Sequence, residues 1–258
     1  MKAHPTAIIH PSARVASGVT VGPYSIIEAD VELGEDCEVM SHVVIAGHTT
    51  IGKQSRIFPY ASIGLEPQDL KYRGEPTRVE AGDGNTFREF ITIHRGTAEG
   101  GGVTRIGSHN LLMAYVHVAH DCQLGDHIIM ANAASLAGHV EIGNQAIVGA
   151  FCAIHQFTRI GAYSFLGACT LVNKDVLPYS KTSAPRPVKV LGANRVGLER
   201  RGLSKDDTDE LESAFRLLSR SKLNTTQALE AIESRGFQSE HVRALVEFIR
   251  SSERGVVK

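Results

Sequence analysis

The chain of 258 residues has no tryptophan, 6% aromatic residues and four cysteines. The cysteines form no C-x-x-C pair and have no framework spacing, which argues against a fold held together by disulfides. The formal net charge of −1 disfavours proteins that wrap nucleic acid or lie on an anionic membrane. There is no signal-peptide pattern and no run of about 18 apolar residues. We therefore expect a soluble, cytoplasmic protein with no integral membrane segment, and we expect no cofactor.

What the sequence does have is an internal repeat of six residues. A medium-sized apolar residue recurs at every sixth position from 9 to 63, and again from 106 to 172. Four residues after each of these positions stands a small or β-branched residue. A period of six fits neither an α-helix nor a hairpin, but it fits short strands joined by tight turns. Three such units would close a coil of about 18 residues, with successive coils about 4.8 Å apart.

Two polar segments interrupt the repeat, at residues 65–79 and 94–104. Because neither segment continues the six-residue rhythm, we expect both to leave the coil as loops. Loops on a rigid scaffold often carry functional residues. The alternative is that each loop is a solvent-exposed segment with no functional role.

The six-residue period ends after Val172, and a proline-bearing connector follows at residues 175–187. Beyond it the apolar spacing becomes helical, and three helices are predicted to begin near Ser204, Thr225 and Ser239. The sequence therefore predicts a repeat domain at residues 1–187 and a helical domain at residues 188–258.

The second block of repeats carries histidines that the repeat itself does not require. Val118 and Cys122 occupy inward positions, so His120 between them faces outward. His139 and His155 fall one position away from the points that lie one and two coils beyond His120. We therefore expect three successive coils to bring these imidazoles close together on one outer face.

This group suits acid–base chemistry on an acyl group. An imidazole side chain is well suited to act as a general base, which makes His120 the candidate. Asp121 beside it would orient the ring and stabilise the imidazolium. Gly138 could donate its backbone N–H to a developing oxyanion, because glycine lets ligand atoms approach the main chain. Cys122 points into the core and is not expected to be a nucleophile, which leaves direct attack by a bound hydroxyl or amine.

Two other classes of function remain open at this point. His117, His120 and His139 could hold zinc with a water molecule, as in a hydratase. That function would leave both loops and the helical tail without a role. A binding or scaffold solenoid would explain the repeat alone.

Several motifs make the chain similar to a known family. The stretches QDLKYRGEPTRVE, TIHRGT, HVAHDC, LAGHVEI and AIHQF resemble the UDP-N-acetylglucosamine acyltransferases of lipid A biosynthesis. The resemblance covers nearly the whole chain and implies a mainly β fold, a left-handed parallel β-helix of hexapeptide repeats with a C-terminal α-helical domain. It also implies a homotrimer with active sites between neighbouring β-helices. The implied reaction moves an (R)-3-hydroxyacyl group from acyl carrier protein to the 3-hydroxyl of UDP-N-acetylglucosamine.

The resemblance also implies roles for individual residues. His120 would be the general base, Asp121 its orienting partner and Gly138 the oxyanion donor. Substrate contacts are implied for Gln68, Asp69, Lys71, His117, His139, His155, Gln156, Asn194, Arg200 and Arg201. Ala168 falls where the family sets the length of the acyl chain.

The chain departs from the family pattern just after the repeat. Residues 183–194 read SAPRPVKVLGAN, where many members carry a G-N-P-A-like turn, and Val196 stands where many have glutamate. The nucleotide pocket is therefore expected to differ. The acceptor could also be an amine at sugar C3 instead of a hydroxyl.

Overall fold

The repeat forms a stack of short strands that coils around a single apolar interior. The computed structural model describes residues 1–183, 187–219, 221 and 223–258. Through most of the stack, hydrogen-bonded partners lie 18 residues apart, as Val21 and Val39 or Val118 and Leu136 do. Three six-residue units therefore close one coil, and the chain forms a parallel β-helix, as the repeat predicts.

The strands of the described residues fall into three sheets, which are the three faces of the coil. The first sheet contains β1 (Lys2–Ala3), β4 (Thr20–Val21), β7 (Glu38–Val39), β10 (Arg56–Ile57), β13 (Thr86–Phe87), β16 (Leu111–Leu112), β19 (Ile129–Met130), β22 (Ile147–Val148), β25 (Phe165–Leu166), β27 (Ser180–Ser183) and β28 (Lys189–Ala193). The second contains β2 (Ile8–Ile9), β5 (Ile26–Ile27), β8 (Val44–Ile45), β11 (Ser62–Leu65), β14 (Thr92–His94), β17 (His117–Val118), β20 (Ser135–Leu136), β23 (Ala153–Ile154) and β26 (Leu171–Val172). The third contains β3 (Arg14–Val15), β6 (Glu32–Leu33), β9 (Thr49–Ile51), β12 (Arg78–Ala81), β15 (Val103–Ile106), β18 (Gln123–Leu124), β21 (Glu141–Ile142) and β24 (Arg159–Ile160).

The apolar positions of the repeat fill the interior, and the turns form three rows of corners outside it. Ile57, Leu112 and Val148 have no exposed surface. At the corners, residues such as Asp121 and His139 adopt the left-handed backbone conformation, with φ of 61° in both cases. Because equivalent corners stack from coil to coil, side chains far apart in sequence become neighbours there.

The two polar segments leave the coil as loops, as predicted. The flanking strands extend into both segments, so the loops themselves are residues 66–77, between β11 and β12, and residues 95–102, between β14 and β15. The step between hydrogen-bonded partners rises to 30 residues across the first loop and to 25 across the second. After each loop the coil resumes with its apolar positions again facing the interior, as Ile57, Phe87 and Leu112 show.

The C-terminal region is helical. Among the described residues it contains α1 (Arg195–Arg200), α2 (Lys205–Ser219), α3 (Thr225–Ser234) and α4 (Glu240–Arg250). Each of the three predicted helices has a side chain that caps its first turn: Ser204 Oγ accepts a hydrogen bond from the Asp207 N–H at 3.0 Å, and Asn224 and Ser239 cap α3 and α4. No helix within the described ranges has the length and apolar character needed to cross a membrane.

The sequence did not predict the hairpin β27–β28 or the short helix α1. β27 pairs parallel with β25 of the last coil, at the point where a connector was expected, and antiparallel with β28. The hairpin therefore has residues on both sides of the 187/188 boundary. The reason is tertiary: the polar segment SKTS carries no apolar alternation, yet β27 extends a sheet that already exists beside β25. Pairing with an existing edge overrides the local preference.

The end of the chain folds back onto the β-helix. The Asp175 N–H donates to the Gly255 carbonyl at 3.0 Å, and the Val257 N–H donates to the Asp175 carbonyl at 2.8 Å. The Asp175 carboxylate accepts from the Arg159 N–H at 2.9 Å and from the Ser252 hydroxyl at 2.8 Å. Residues 251–257 are thus fixed beside the coils that carry the predicted site.

Candidate active site

His120 and Asp121 form a corner of the coil immediately after β17. Val118 and Cys122 on either side are fully buried, which forces the two residues between them outward. Burial raises the pKa of the Cys122 thiol to about 12. The thiol therefore stays protonated inside the core, and the structure agrees with its rejection as a nucleophile.

The Asp121 carboxylate is buried although it lies on an outer corner. Its side chain has 0% exposure because the 95–102 loop covers it. The Thr97 N–H donates to Oδ1 at 2.9 Å and to Oδ2 at 3.1 Å, and the Thr97 hydroxyl donates to Oδ2 at 2.6 Å. Burial alone would raise the pKa of Asp121, but the hydrogen bonds from His120 and Thr97 outweigh burial and lower the pKa below its usual value.

His120 is held against this carboxylate. Its Nδ1 lies 2.8 Å from Asp121 Oδ2, and its side chain is 15% exposed. With an ionised Asp121, Nδ1 carries the proton and donates it to the carboxylate, so Nε2 presents a lone pair. This arrangement prepares the ring to accept a proton at Nε2.

Gly138 lies against the open edge of the His120 ring. A Cβ atom at this position would be 2.7 Å from Nε2 and 2.5 Å from Cε1, so only glycine fits without displacing the imidazole. Within the described part of the chain, the Gly138 N–H makes no hydrogen bond. The residue thus leaves room at Nε2 and has a donor to offer nearby.

His139 completes a compact polar group. Its Nε2 is 3.8 Å from Asp121 Oδ2, and its ring lies perpendicular to that of His120 with centroids 5.2 Å apart. The opposite face of the ring stacks on Phe157 at 4.3 Å. Burial lowers the pKa of His139, which favours a neutral imidazole beside the reacting centre.

His117 lies on β17, just before the His120 turn, and forms a second pair of imidazoles with His94 of β14, one coil earlier. Its Nδ1 is 2.8 Å from the Thr92 hydroxyl, and its ring meets His94 edge-to-face at 5.2 Å. His94 is 6% exposed, and its Nδ1 has no hydrogen-bond partner among the described residues. Burial, reinforced by the neighbouring His117 and His120, lowers the pKa of His94 to about 4.

The expected meeting of three histidines forms only in part. His120 and His139 lie together, but the recorded contacts of His155 are with the Gln156 carbonyl at 3.0 Å and with Arg254 of the returning tail at 3.2 Å. His155 stands one residue before the position that is equivalent to His120 two coils on. It therefore follows the end of β23 directly and lies beside the returning tail at residues 251–257. Gln156 occupies the His120 corner two coils on and is exposed.

Three predicted contact residues lie on the 66–77 loop. Gln68 is exposed, and the Asp69 carboxylate accepts a hydrogen bond from the Lys71 N–H at 2.9 Å. Lys71 Nζ lies 3.0 Å from Glu99 Oε2 and so ties this loop to the 95–102 loop. Asp69 and Glu99 both act on the pKa of His139, so the two loops border the same site.

The remaining predicted residues lie away from the His120 corner of their own chain. Asn194 donates to the Tyr163 carbonyl at 3.2 Å, Arg201 donates to the Gly197 carbonyl at 3.3 Å, and Arg200 is exposed at the end of α1. Ala168 is exposed on a different row of corners, after β25. In the described part of one chain, therefore, none of these four residues contacts His120.

An open cleft of about 930 Å³ borders Asp121 and His139. Its far side is formed by Phe157, Arg159 and the tail residues Glu253 and Arg254. The sequence reasoning missed Thr97, His94 and Arg254, each of which lies within contact distance of a predicted residue. The motif TIHRGT contains the first two, but their relation to His117 and Asp121 depends on the altered step of 25 residues.

A hexapeptide-repeat β-helix with a histidine–carboxylate pair on an outer corner defines a left-handed β-helix acyltransferase. A family model described as "Udp N-acetylglucosamine O-acyltransferase; Domain 2" matches residues 175–257. The acyl-[acyl-carrier-protein]--UDP-N-acetylglucosamine O-acyltransferase of Alkalilimnicola ehrlichii is 48% identical over 98% of this chain and 98% of its own. That of Halorhodospira halophila is 46% identical over 99% and 98%. The chain belongs to this family of UDP-N-acetylglucosamine O-acyltransferases.

Solved structures agree with this assignment and with the predicted fold class. LpxA from Acinetobacter baumannii superposes with a TM-score of 0.95 at 44% identity, covering 99% of both chains. LpxA from Bacteroides fragilis, described as a UDP-N-acetylglucosamine acyltransferase, gives 0.96 at 39% identity, again over 99% of both chains. The predicted left-handed parallel β-helix with a C-terminal helical region is therefore confirmed.

Proposed function

We propose that this protein transfers an (R)-3-hydroxyacyl group from acyl carrier protein to the 3-hydroxyl of UDP-N-acetylglucosamine, the first step of lipid A biosynthesis. The observation that carries the proposal is the His120–Asp121 pair, whose free Nε2 lies beside Gly138. We also propose a cytoplasmic location, since the four cysteines are free, as expected of a protein in a reducing compartment.

The proposed mechanism is direct attack with a general base. His120 Nε2 accepts the proton of the sugar 3-hydroxyl as the oxygen attacks the thioester carbonyl carbon. The carbonyl oxygen becomes an oxyanion, which accepts a hydrogen bond from the Gly138 N–H. When the intermediate collapses, the carbon–sulfur bond breaks and the leaving thiolate takes the proton from the imidazolium. The buried Asp121 charge stabilises that imidazolium while it exists.

We assign the surrounding residues to substrate binding. Contacts to the sugar nucleotide or the acyl chain are proposed for Gln68, Asp69, Lys71, His117, His139, His155 and Gln156. Asn194 is proposed to contact the substrate as well. Arg200 and Arg201 are proposed to meet phosphate, where a fixed positive charge is useful. Ala168 is proposed to set acyl length, because a bulkier side chain there would shorten the space for the chain.

We further propose that the protein is a homotrimer with active sites between neighbouring β-helices. One row of corners supports an interface: Tyr24, His42, Tyr60, Phe90 and Tyr115 form a stripe of rings whose successive centroids lie 4.9–5.2 Å apart. Its tyrosine and phenylalanine side chains are 44–61% exposed. Contiguous exposed apolar surface of this kind marks protein–protein contacts. A trimer would also bring Arg200 and Arg201 of one copy to the His120 corner of another.

Light scattering tests this assembly. We expect a mass about three times the 27.8 kDa of one chain. Phe90→Glu is expected to shift the protein toward monomer, because it places a charge in the centre of the stripe. Ile8→Glu is the control, since Ile8 is 63% exposed on β2 and lies outside both the stripe and the loops that border the site. An unchanged trimer in Phe90→Glu would remove the stripe from the interface.

The reaction is tested by mass spectrometry of the products. Hydroxyacyl carrier-protein donors of several chain lengths are offered with UDP-N-acetylglucosamine or its 3-amino analogue. We expect an ester of UDP-N-acetylglucosamine and free carrier-protein thiol. Product from the amino acceptor alone would reassign the acceptor atom, and no acylated sugar from any pair would overturn the proposal. In the same assay Ala168→Met is expected to favour shorter donors.

A zinc-dependent hydratase is the second candidate, because ligand atoms of His120, Asp121 and His139 all lie within 4.8 Å of one another. This set holds two imidazoles and a carboxylate whose oxygens already accept from Thr97 and His120, unlike the three imidazoles of a hydratase site. We therefore expect acyl transfer to survive treatment with a chelator. Loss of transfer that added zinc restores would contradict the general-base mechanism.

A further inference from the structure

The 95–102 loop is built around the Asp121 carboxylate. Thr97 donates to that carboxylate through both its backbone N–H and its hydroxyl. The Thr97 carbonyl in turn accepts from the Gly100 N–H at 3.1 Å and from the Gly102 N–H at 2.8 Å. The loop thus closes on itself with Thr97 at the centre, which fixes the two donors in place.

Close packing keeps water away from this carboxylate. A Cβ atom at Gly100 would lie 2.0 Å from Asp121 Cγ and 2.2 Å from Oδ2, so the loop backbone rests directly on the acid. The Asp121 side chain has no exposed surface as a result. With solvent excluded, its hydrogen bonds to Thr97 and His120 determine how its negative charge is distributed.

Two side-chain donors share one carboxylate oxygen, which the Thr97 N–H also approaches at 3.1 Å. Asp121 Oδ2 accepts from the Thr97 hydroxyl at 2.6 Å and from His120 Nδ1 at 2.8 Å. A stronger bond from Thr97 leaves less negative charge for the imidazole, and a weaker one leaves more. We propose that Thr97 is a positioning residue whose hydroxyl sets the orientation and basicity of His120 through the shared Asp121 oxygen. The proposal rests on the proposed role of His120 as the base.

Within the described part of the chain, the titratable groups that act on His120 come from four places. Asp121 lies on the same turn and His139 lies one coil on, while His117 lies on β17, which leads into that turn, and His94 lies on β14, one coil earlier. The imidazoles oppose a positive charge on His120, and Asp121 favours it. The Thr97 hydroxyl donates to Asp121 and accepts from the Gly100 N–H at 3.2 Å. Of these two bonds only the one to Asp121 reaches a charged group beside His120, which makes the direction of the effect predictable.

The test compares Thr97→Val with Thr97→Ser in the acyl-transfer assay, with the full-length protein, across a range of pH. Valine keeps the bonds from the residue 97 N–H to Asp121 but removes the hydroxyl and its bonds to Asp121 and the Gly100 N–H, so the Asp121 charge acts more strongly on a protonated His120. A base must be unprotonated to work, so the acidic limb of kcat/KM should move to higher pH by roughly 0.5–1 unit. We expect kcat at neutral pH to fall about ten-fold, with KM values for both substrates nearly unchanged. Serine, which retains the hydroxyl, should restore both properties.

Thr208→Val is the matched control. Thr208 is equally buried and donates its hydroxyl to the Ser204 and Lys205 carbonyls in α2, far from the site in sequence. It is expected to lower thermal stability without moving the pH profile. If Thr97→Val behaves in the same way, Thr97 is merely structural and the proposal is wrong.

A second readout separates this proposal from the proposed reaction. NMR of isotope-labelled histidine follows the titration of His120 directly, with the signal assigned by its loss in His120→Asn. Thr97→Val should raise that titration midpoint whether or not any acyl donor is turned over. An unmoved midpoint overturns the role of Thr97, whereas a moved midpoint in a protein inactive toward every donor would overturn only the reaction.

Discussion

Replacing His120 with alanine is expected to lower kcat by about 10²–10⁴-fold, since general-base catalysis contributes a factor of this size. The loss should appear in kcat and kcat/KM together, because the base acts mainly in the transition state. The fold should survive. Asp121 keeps its donors from Thr97 after the substitution, so the buried charge is not left alone. We expect the free energy of unfolding to fall by about 1 kcal/mol.

Steady-state kinetics and thermal melting of His120→Ala check this prediction, with His127→Ala as control. His127 stacks on His109 at 5.2 Å on another row of corners and is exposed. The control should turn over within about two-fold of the parent. The acidic limb of the pH profile should also disappear in His120→Ala. Turnover close to that of the control would exclude His120 as the base.

The coil was predictable because its rule is local and repeats. One apolar residue in six, with a small residue four positions on, defines which side chains enter the interior. Val118 and Cys122 followed this rule and are both fully buried. Their burial in turn placed His120 and Asp121 on an outer corner. The corner that carries the candidate base is therefore a direct consequence of the repeat.

The cover over Asp121 was not predictable from the same rule. The 95–102 loop contains no inward positions, so nothing in its local pattern says where it returns to the coil. Its step of 25 residues places Ile93 opposite Val118 and brings Thr97 onto Asp121. Sequence reasoning predicted the partner of His120 but could not predict that the partner is buried.

Contacts across large sequence separations were missed for a related reason. Arg254 meets His155 only because the tail pairs with Asp175, about eighty residues earlier along the chain. Such pairing depends on backbone groups, which every residue carries, and not on a side-chain pattern. The sequence showed that His155 is displaced by one residue from the position equivalent to His120. It did not show that Arg254 would lie beside His155.

Asp121→Asn is expected to be at least as damaging as the loss of His120, with kcat reduced by about 10³–10⁴-fold. The surroundings decide how the new amide is oriented. The Thr97 N–H lies 2.9 Å from the present Oδ1, so the amide oxygen must take that position to accept it. The amide NH₂ then faces His120 Nδ1 and donates to it. Nδ1 must become the acceptor, and the ring proton moves to Nε2, where the mechanism requires a lone pair.

Asp121→Ala gives a sharper comparison than the parent protein does. Alanine removes the charge but does not force the wrong tautomer, so its kcat should exceed that of Asp121→Asn even though the change in structure is larger. Histidine NMR should show the proton on Nε2 of His120 in the asparagine variant alone. Asp126→Asn, whose carboxylate accepts from the Ser108 N–H at 2.6 Å on another corner, should retain full activity. If asparagine proves more active than alanine at position 121, the carboxylate does not act by fixing the tautomer of His120.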